Sequence, residues 1–399
     1  MAQQEKPYRV YKGGRTKGKV PVPKGPSRSR SRDGGAGYRG PGARGRAGGG
    51  GFRAALGRVR WSRWIPLGIA LLVGLVVLWA VVSYLQLQSG VGSANKRLPA
   101  KAVAALSKQH GLLTTHPTTI LVLGVDSAAV AGRQGDRHSD SIMLVRTDPK
   151  RHVIAYLSIP RDLRVPVPGI GDTKINAAMQ SGGPARAIET VRQYTGLPIN
   201  HVVVVDFAQF KDLIDALGGV TINVPEAIVS NRFDCPYPTQ ARCEQWQGYR
   251  FAKGTQHMNG TRALIYSRIR ENRLDPAEND LTRTARQQAV TQGVLSKFTS
   301  IGALARMPFQ GASFVKPIAT DLSAMQLVEL GWVKFRASGG NTLHCRLGGT
   351  SSGGSDIIPS EDNRNVLAMF VGASAPQPPA PASSSDPFPP GCAVGHELG

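Results

Sequence analysis

One run dominates the hydrophobic pattern: Ile65 to Leu85 (IPLGIALLVGLVVLWAVVSYL) carries no charge and has Pro only at its second position. About 20 apolar residues at 1.5 Å each cross a hydrocarbon core of about 30 Å, so residues 65–85 predict a transmembrane helix. Trp61, Trp64 and Tyr84 stand where interfacial aromatics belong. A cleaved signal peptide would have a shorter apolar core, about 7–15 residues, and a shorter leader. A single anchor is the better reading. Past it, residues 86–116 read as a stalk with a short helix around Ala102 to Ser107. A globular region, residues 117–371, follows. It opens with three strand-like runs, Thr119 to Val125, Ser141 to Thr147 and Val153 to Ile159, the last two joined by the turn signal Asp148-Pro149-Lys150. Gly183 to Tyr194 has helical character. His201 to Phe207 reads as a buried strand, and Ala208 to Leu217 has helical periodicity that stops at Gly218-Gly219. Val220 to Val224 is a further strand. Strands interleaved with helices predict an α/β fold, a three-layer αβα sandwich around a mixed central sheet. Residues 372–399, rich in Pro, Ala and Ser, predict an unstructured tail.

The meander has a geometric consequence. If the first three strands are antiparallel neighbours, the end of the first, the start of the second and the end of the third share one edge of the sheet. Asp126 follows the first, Asp140 precedes the second, and Arg161-Asp162 follows the third.

Charge changes the picture at the amino end. The net charge of +23 resembles a nucleic-acid footprint, but Met1 to Trp64 holds 17 Lys or Arg against only Glu5 and Asp33. This segment, rich in Gly, Pro, Ser and Arg, cannot bury enough surface to offset its chain entropy and predicts a disordered tail. Arg53, Arg58, Arg60 and Arg63 crowd the amino side of the apolar run. The positive-inside rule therefore leaves residues 1–64 in the cytoplasm and sends everything after Leu85 outside. The tail sets topology, and contact with anionic membrane lipid is an equal alternative. It has no aromatic spacing for base stacking and no helix-turn-helix pattern follows, so no nucleic-acid partner is expected. An oxidising location favours a local Cys235–Cys243 disulfide. Cys345 and Cys392 remain as a second, more speculative pair.

Two strand-end carboxylates, Asp126 and Asp140, suit a hard divalent cation such as Mg²⁺, which takes one or two carboxylates, water and phosphate oxygens. Turn capping is the even alternative. Arg161, Arg268 and Arg270 could supply planar donors for phosphate oxygens. Asp280, Arg283 and Gln287 fall at offsets of three and four, one face of a helix, with Arg286 beside them. For any one arginine a solvated basic face explains it as well; the set makes a diphosphate or phosphodiester ligand the better reading. Lys174-Ile175-Asn176 could form a loop nearby. There is no G-x-S-x-G elbow, Walker loop or H-E-x-x-H helix. Metal-assisted phosphoryl transfer is the chemical reading that remains.

The succession ILVLGVDS, HSDSIMLVRTDP, LSIPRD, KINAAMQSGG, VVDFAQFKDLIDALGGVTINVP, MNGTRALIYSRIR and DLTRTARQQ resembles the LytR-CpsA-Psr family over roughly Thr118 to Ser300. The resemblance implies a single-anchor protein whose outer domain transfers a polyprenyl-diphosphate-linked glycopolymer to peptidoglycan as a phosphodiester. It also implies an apolar tunnel for the lipid between sheet and helices, and Mg²⁺ or Mn²⁺ on Asp126 and Asp140. Arg161, Arg268, Arg270 and Arg283 would bind phosphate, supported by Asp280 and Gln287. Where the family has Arg two residues before the second metal Asp, this chain has His138, with Arg137 one place earlier. Either Arg137 reaches the same phosphate or that contact is missing. A polyprenyl-diphosphate hydrolase using the same site is the alternative activity; a membrane-bound transcriptional regulator is the remoter one. The composition, high in Gly, Ala, Arg and Pro, fits a high-GC bacterium such as an actinomycete.

Overall fold

A computed structural model describes residues 61–125, 139–269, 271–275, 280–298, 300–337, 339–351, 356–381 and 388–395. The basic tail before Trp61 lies outside them. The apolar run forms most of one long helix, α1 (Trp61–Asn95). Its span is bare: Leu71 is 67% exposed and nothing among the described residues covers the surrounding turns. Among the described residues it is the one helix long and apolar enough to cross a membrane.

The helix does not stop where the span does. Leu87, Val91 and Ala94 are buried in a core cluster with Ala303, Phe314 and Val315 of a later helix. After it come α2 (Ala100–Ala105), β1 (Thr118–Val125), β2 (Ser139–Asp148) and β3 (Val153–Ile159). The expected stalk is therefore part of the folded domain. Leu98, Ala102, Ala105 and Leu113 are buried, Ser107 N donates to the Ile199 carbonyl at 2.7 Å, and Leu113 N donates to Glu329 Oε2 at 2.6 Å. Apolar residues scattered without a run went unweighted in the sequence pattern.

The chain continues through a hairpin, β4 (Arg164–Val167) and β5 (Gly171–Lys174), then α3 (Ala177–Thr195), β6 (His201–Asp206), α4 (Phe207–Ala216) and β7 (Val220–Val224). A smaller excursion holds β8 (Ile228–Val229), α5 (Gln240–Gln245), β9 (Arg250–Phe251), β10 (Gly254–Met258) and α6 (Gly260–Arg268). The helical layer follows as α7 (Asp280–Phe298), α8 (Ile301–Val315), β11 (Ile318–Thr320) and α9 (Ala324–Arg336). The chain closes with β12 (Thr342–Arg346), β13 (Gly349–Ser351), β14 (Ile357–Pro359), α10 (Asn363–Phe370) and β15 (Gly391–Val394).

Seven strands form the central sheet in the order β11-β6-β1-β2-β3-β12-β15. It is mixed: β1–β2 and β2–β3 are antiparallel, whereas β6 runs parallel to β1 and β12 parallel to β3. Alternation splits each strand between two faces. Leu121, Leu123, Leu144 and Leu157 join α2, α3 and α10 in the largest core cluster, while Ile120, Met143, Val145 and Tyr156 face α7 and α9. This is the expected three-layer αβα sandwich.

The expected unstructured tail is corrected at its end. β15 pairs with β12 from Leu343 opposite Val394 to Arg346 opposite Gly391, and Cys345 is bonded to Cys392. Composition missed it because the order comes from a ladder and a cross-link, not from local apolar content. Cys235 and Cys243 form the local disulfide. Replacing both Cys345 and Cys392 by Ser should cost about 2–4 kcal/mol, the range for releasing a loop of this length. A lower thermal midpoint in non-reducing buffer checks this; an unchanged midpoint counts against it.

Candidate functional site at one edge of the sheet

The register brings four strand ends and three strand starts to the same edge. β1 ends at Val125, which lies opposite Asp206, the last residue of β6. β3 ends at Ile159, and Arg346 at the end of β12 pairs with Ser158. β11 and β15 start here, with Ile318 opposite Val205 and Gly391 opposite Arg346, and so does β2. Its ladder slips: Gly124 faces Ser141 but Val125 faces Ser139, so Asp140 is the extra residue of a β-bulge. Bulges bend a strand and re-aim the residue they add, and they gather near active sites. Asp126 lies outside the described residues, and Asp140 is described in its backbone alone. The backbone thus meets the geometric expectation from the meander for Asp140 and for Arg161-Asp162.

Arg161 is held by an ionic chain. Its Nε donates to Asp162 Oδ2 at 3.1 Å, and Lys174 Nζ donates to Asp162 Oδ1 at 2.8 Å. Lys174 also lies 3.5 Å from Asp356 Oδ1, and Arg164 bonds both Asp356 and Asp172 at 3.0 Å. Charges alternate along this series, so Asp162 and Asp356 each sit between two cations. The backbone closes the same corner: Asn176 N donates to the Arg161 carbonyl at 3.2 Å and Ile175 N to that of Leu163 at 2.8 Å. Lys174-Ile175-Asn176, from the end of β5 to the start of α3, therefore lies beside Arg161. No sequence signal pointed to Asp356.

Helix α7 is fixed to the sheet by a polar seam inside an apolar interface. Gln288 Nε2 donates to Ser158 Oγ at 2.6 Å and to the Cys345 carbonyl at 3.2 Å. One turn on, Gln292 Nε2 lies 2.8 Å from His344, whose ring stacks on Tyr156. Ser158 is near the end of β3 and Tyr156 further back, so α7 runs antiparallel to β3 and its first turns rise above the site edge. Asp280, Arg283 and Gln287 ride on those turns. Arg283 is 5% exposed, Gln287 is half-buried, and the Asp280 side chain is not described. Arg286 Nη2 donates to the Ile269 carbonyl at 2.6 Å, which draws the carboxyl end of α6, with exposed Arg268, to the same place. The positive dipole end of α7 adds to the cationic character of this edge. Arg137 and Arg270 lie outside the described residues. Among the described residues, no group of three or more His, Cys, Asp or Glu is placed to hold a metal.

Below the edge, one interface is incompletely covered. Every residue of β1 is buried except Val122, although β1 is central and the sheet is covered on both faces. Its neighbour Val203 on β6 is half-buried too, as are Leu295 of α7 and Leu330 of α9, which pack against the same cluster. These apolar side chains between sheet and helices are thus only partly covered. A cavity of about 320 Å³, lined by Arg146, Asp148 and Arg151, opens near the other end of β2 and touches none of the expected site residues.

A model of the LytR_cpsA_psr family matches residues 81–341, well over half of the chain. This chain belongs to that family. Among its relatives is the polyisoprenyl-teichoic acid–peptidoglycan teichoic acid transferase TagV of Bacillus subtilis (strain 168), 34% identical over 194 residues, 48% of this chain and 46% of TagV. The corresponding TagU of Bacillus cereus (strain AH820) is 34% identical over 218 residues, 54% of this chain and 64% of TagU. The chain thus matches about half to two thirds of the length of these relatives. The crystal structure of B. subtilis TagV superposes with a TM-score of 0.52 at 28% identity, covering 64% of this chain and 98% of that one. The family match begins inside α1 and ends just before β12, so the last strands and the Cys345–Cys392 bond lie beyond it.

In this LytR-CpsA-Psr domain the polar seam beneath α7 escaped sequence reasoning; Gln288 and Gln292, four apart on the sheet-facing side, were its only trace. Gln288→Leu should strip Ser158 and His344 of a buried partner and cost about 1–3 kcal/mol. Tyr156→Phe should do the reverse. The Tyr156 hydroxyl is buried with no hydrogen-bond partner among the described residues, and burial pushes the phenol pKa well above its ordinary value. Its removal should leave the thermal midpoint unchanged or raised. Equal losses for the two variants would contradict this account of the seam.

Proposed function

We propose that this chain transfers a glycopolymer from a polyprenyl diphosphate carrier to peptidoglycan, forming a phosphodiester link in the wall. One observation carries the reading: a cationic sheet edge adjoins a partly covered apolar interface. Arg161, Arg268 and the amino end of α7 with Arg283 offer donors on one side; Val122, Val203, Leu295 and Leu330 lie on the other. A prenyl diphosphate has the same two halves. The names of the TagV and TagU relatives, which specify a polyisoprenyl-linked polymer and a peptidoglycan acceptor, support this class of carrier and acceptor.

In the reaction, a peptidoglycan hydroxyl attacks the glycan-proximal phosphorus. The bond from that phosphorus to the bridging oxygen breaks, polyprenyl phosphate leaves with the electron pair, and the hydroxyl proton passes to solvent. Positioned charge does most of the work in such a step. Arg161, braced through Nε by Asp162, presents a guanidinium whose plane matches phosphate oxygens. Arg268 and Arg283 add charge from the helical side, Arg137 and Arg270 extend the set, and Asp280 and Gln287 orient it. Strand-end carboxylates beside a bulge suit a hard cation, and Mg²⁺ or Mn²⁺ on Asp126 and Asp140 would offset diphosphate charge. Topologically, the basic tail is cytoplasmic and the domain lies outside. Two disulfides among four cysteines fit an oxidising compartment.

Asp140→Ala and Arg161→Ala should each lower glycan–acceptor adduct formation by about 100-fold or more, the loss typical of a group that stabilises transition-state charge. The thermal midpoint should shift little. Normal transfer by both variants overturns the assignment. Diphosphate cleavage at full rate without a muramyl acceptor would make the enzyme a hydrolase instead. Chelation should stop transfer and Mg²⁺ should restore it; full activity in chelator removes the metal from the reading.

A further inference from the structure

Helix α8 exposes large apolar side chains where an ordinary surface helix would be polar. Ile301 is 86% exposed, Phe309 84% and Leu304 41%, while Ala303, Gly311, Phe314 and Val315 face the core. Its single charge, Arg306, lies against Gly218 just past the carboxyl end of α4, where a cation is favoured.

The packing of α8 against α1 sets its level. A Cβ on Gly311 would lie 3.3 Å from Gln86 Cβ and Leu87 N, and one on Gly90 would lie 2.7 Å from Ala312 Cα. With its amide turned to donate, Asn95 at the end of α1 reaches the Thr320 carbonyl at 2.7 Å, in the strand that follows α8. The two helices therefore run in the same direction, with Gly311 level with Leu87. The buried seam of α1 comprises Ser83, Leu87, Gly90, Val91 and Ala94, so it begins inside the apolar run that ends at Leu85. Residues of α8 before Gly311 consequently lie alongside that run. At about 1.5 Å per residue, Ile301 lies about 15 Å along α8 from Gly311, toward the centre of the span.

We propose that the amino-terminal half of α8 is embedded in the lipid leaflet beside α1, as a second, non-spanning membrane contact. Ile301, Leu304 and Phe309 insert among acyl chains and headgroups, as the apolar face of an interfacial helix does. The occupant is the bilayer because the apolar face continues that of the anchor; this rests on the reading that α1 spans the membrane. The contact fixes the rotation of the domain about α1, and with it the height of the site edge above the lipid surface.

The test uses the full chain in phosphatidylglycerol–phosphatidylcholine vesicles. Its native cysteines are all paired, so a spin label on one introduced cysteine reports one position. Labels at Ile301→Cys and Phe309→Cys should be more accessible to dissolved oxygen than to a water-soluble nickel chelate. They should resemble Leu72→Cys in the span and differ from Ser181→Cys at an exposed position of α3. Nickel access at 301 and 309 with oxygen access at 72 overturns the proposal and spares the anchor. Nickel access at 72 overturns the anchor itself. Labels at 301 and 309 shielded from both reagents mark a protein contact, such as a second copy, and overturn the lipid assignment.

Discussion

The domain depends on strand direction in one sheet. β1, β3, β6 and β12 all point their carboxyl ends at the same edge, and β2 begins there. Side chains from segments far apart in the chain can meet only because that pattern holds. A slip of one residue would turn every inward side chain outward, so the apolar alternation that fills the core also fixes where the polar ends lie. The bulge at Asp140 is a tolerated break in the register, and it falls at the edge itself. The seam from Gln288 to Ser158 then sets the position of α7 along β3.

Part of this was legible because it is local. β1 runs Thr118–Val125 against an expected Thr119 to Val125, and α4 runs Phe207–Ala216 against Ala208 to Leu217. Alternation, turn residues and Gly-Gly stops act within a few residues and leave a trace in sequence. The arginine face of α7 was visible through its spacing. What was hidden depends on partners distant in the chain: Asp356 meets Arg164 and Lys174, and Gln288 meets Ser158. The start of α3 at Ala177, ahead of the expected Gly183, belongs with these, since Gly183 adopts a non-helical conformation inside it and breaks the local pattern.

The half-buried Val122 reveals a compromise. Apolar area left open to solvent forgoes about 25 cal/mol per Å² of stabilisation, so a fold selected for stability alone would cover it with larger side chains. Instead two clusters persist, Ile120, Met143 and Tyr156 with Ala337 beyond α9 in one and Leu213, Val290 and Phe314 in the other. Stability comes from the opposite face, where the core shared by the sheet, α3 and α10 is largest. The domain is firm on one side of its sheet and permissive on the other.

The bond between Cys345 and Cys392 gives the last strand a chemical condition for staying in place. β15 meets β12 over four residue pairs and is reached through a Pro-rich segment that has little apolar content of its own. Where thiols stay reduced, so short a ladder would hold poorly and β12 would become a bare sheet margin, open to pairing with another chain. Oxidation latches that margin shut.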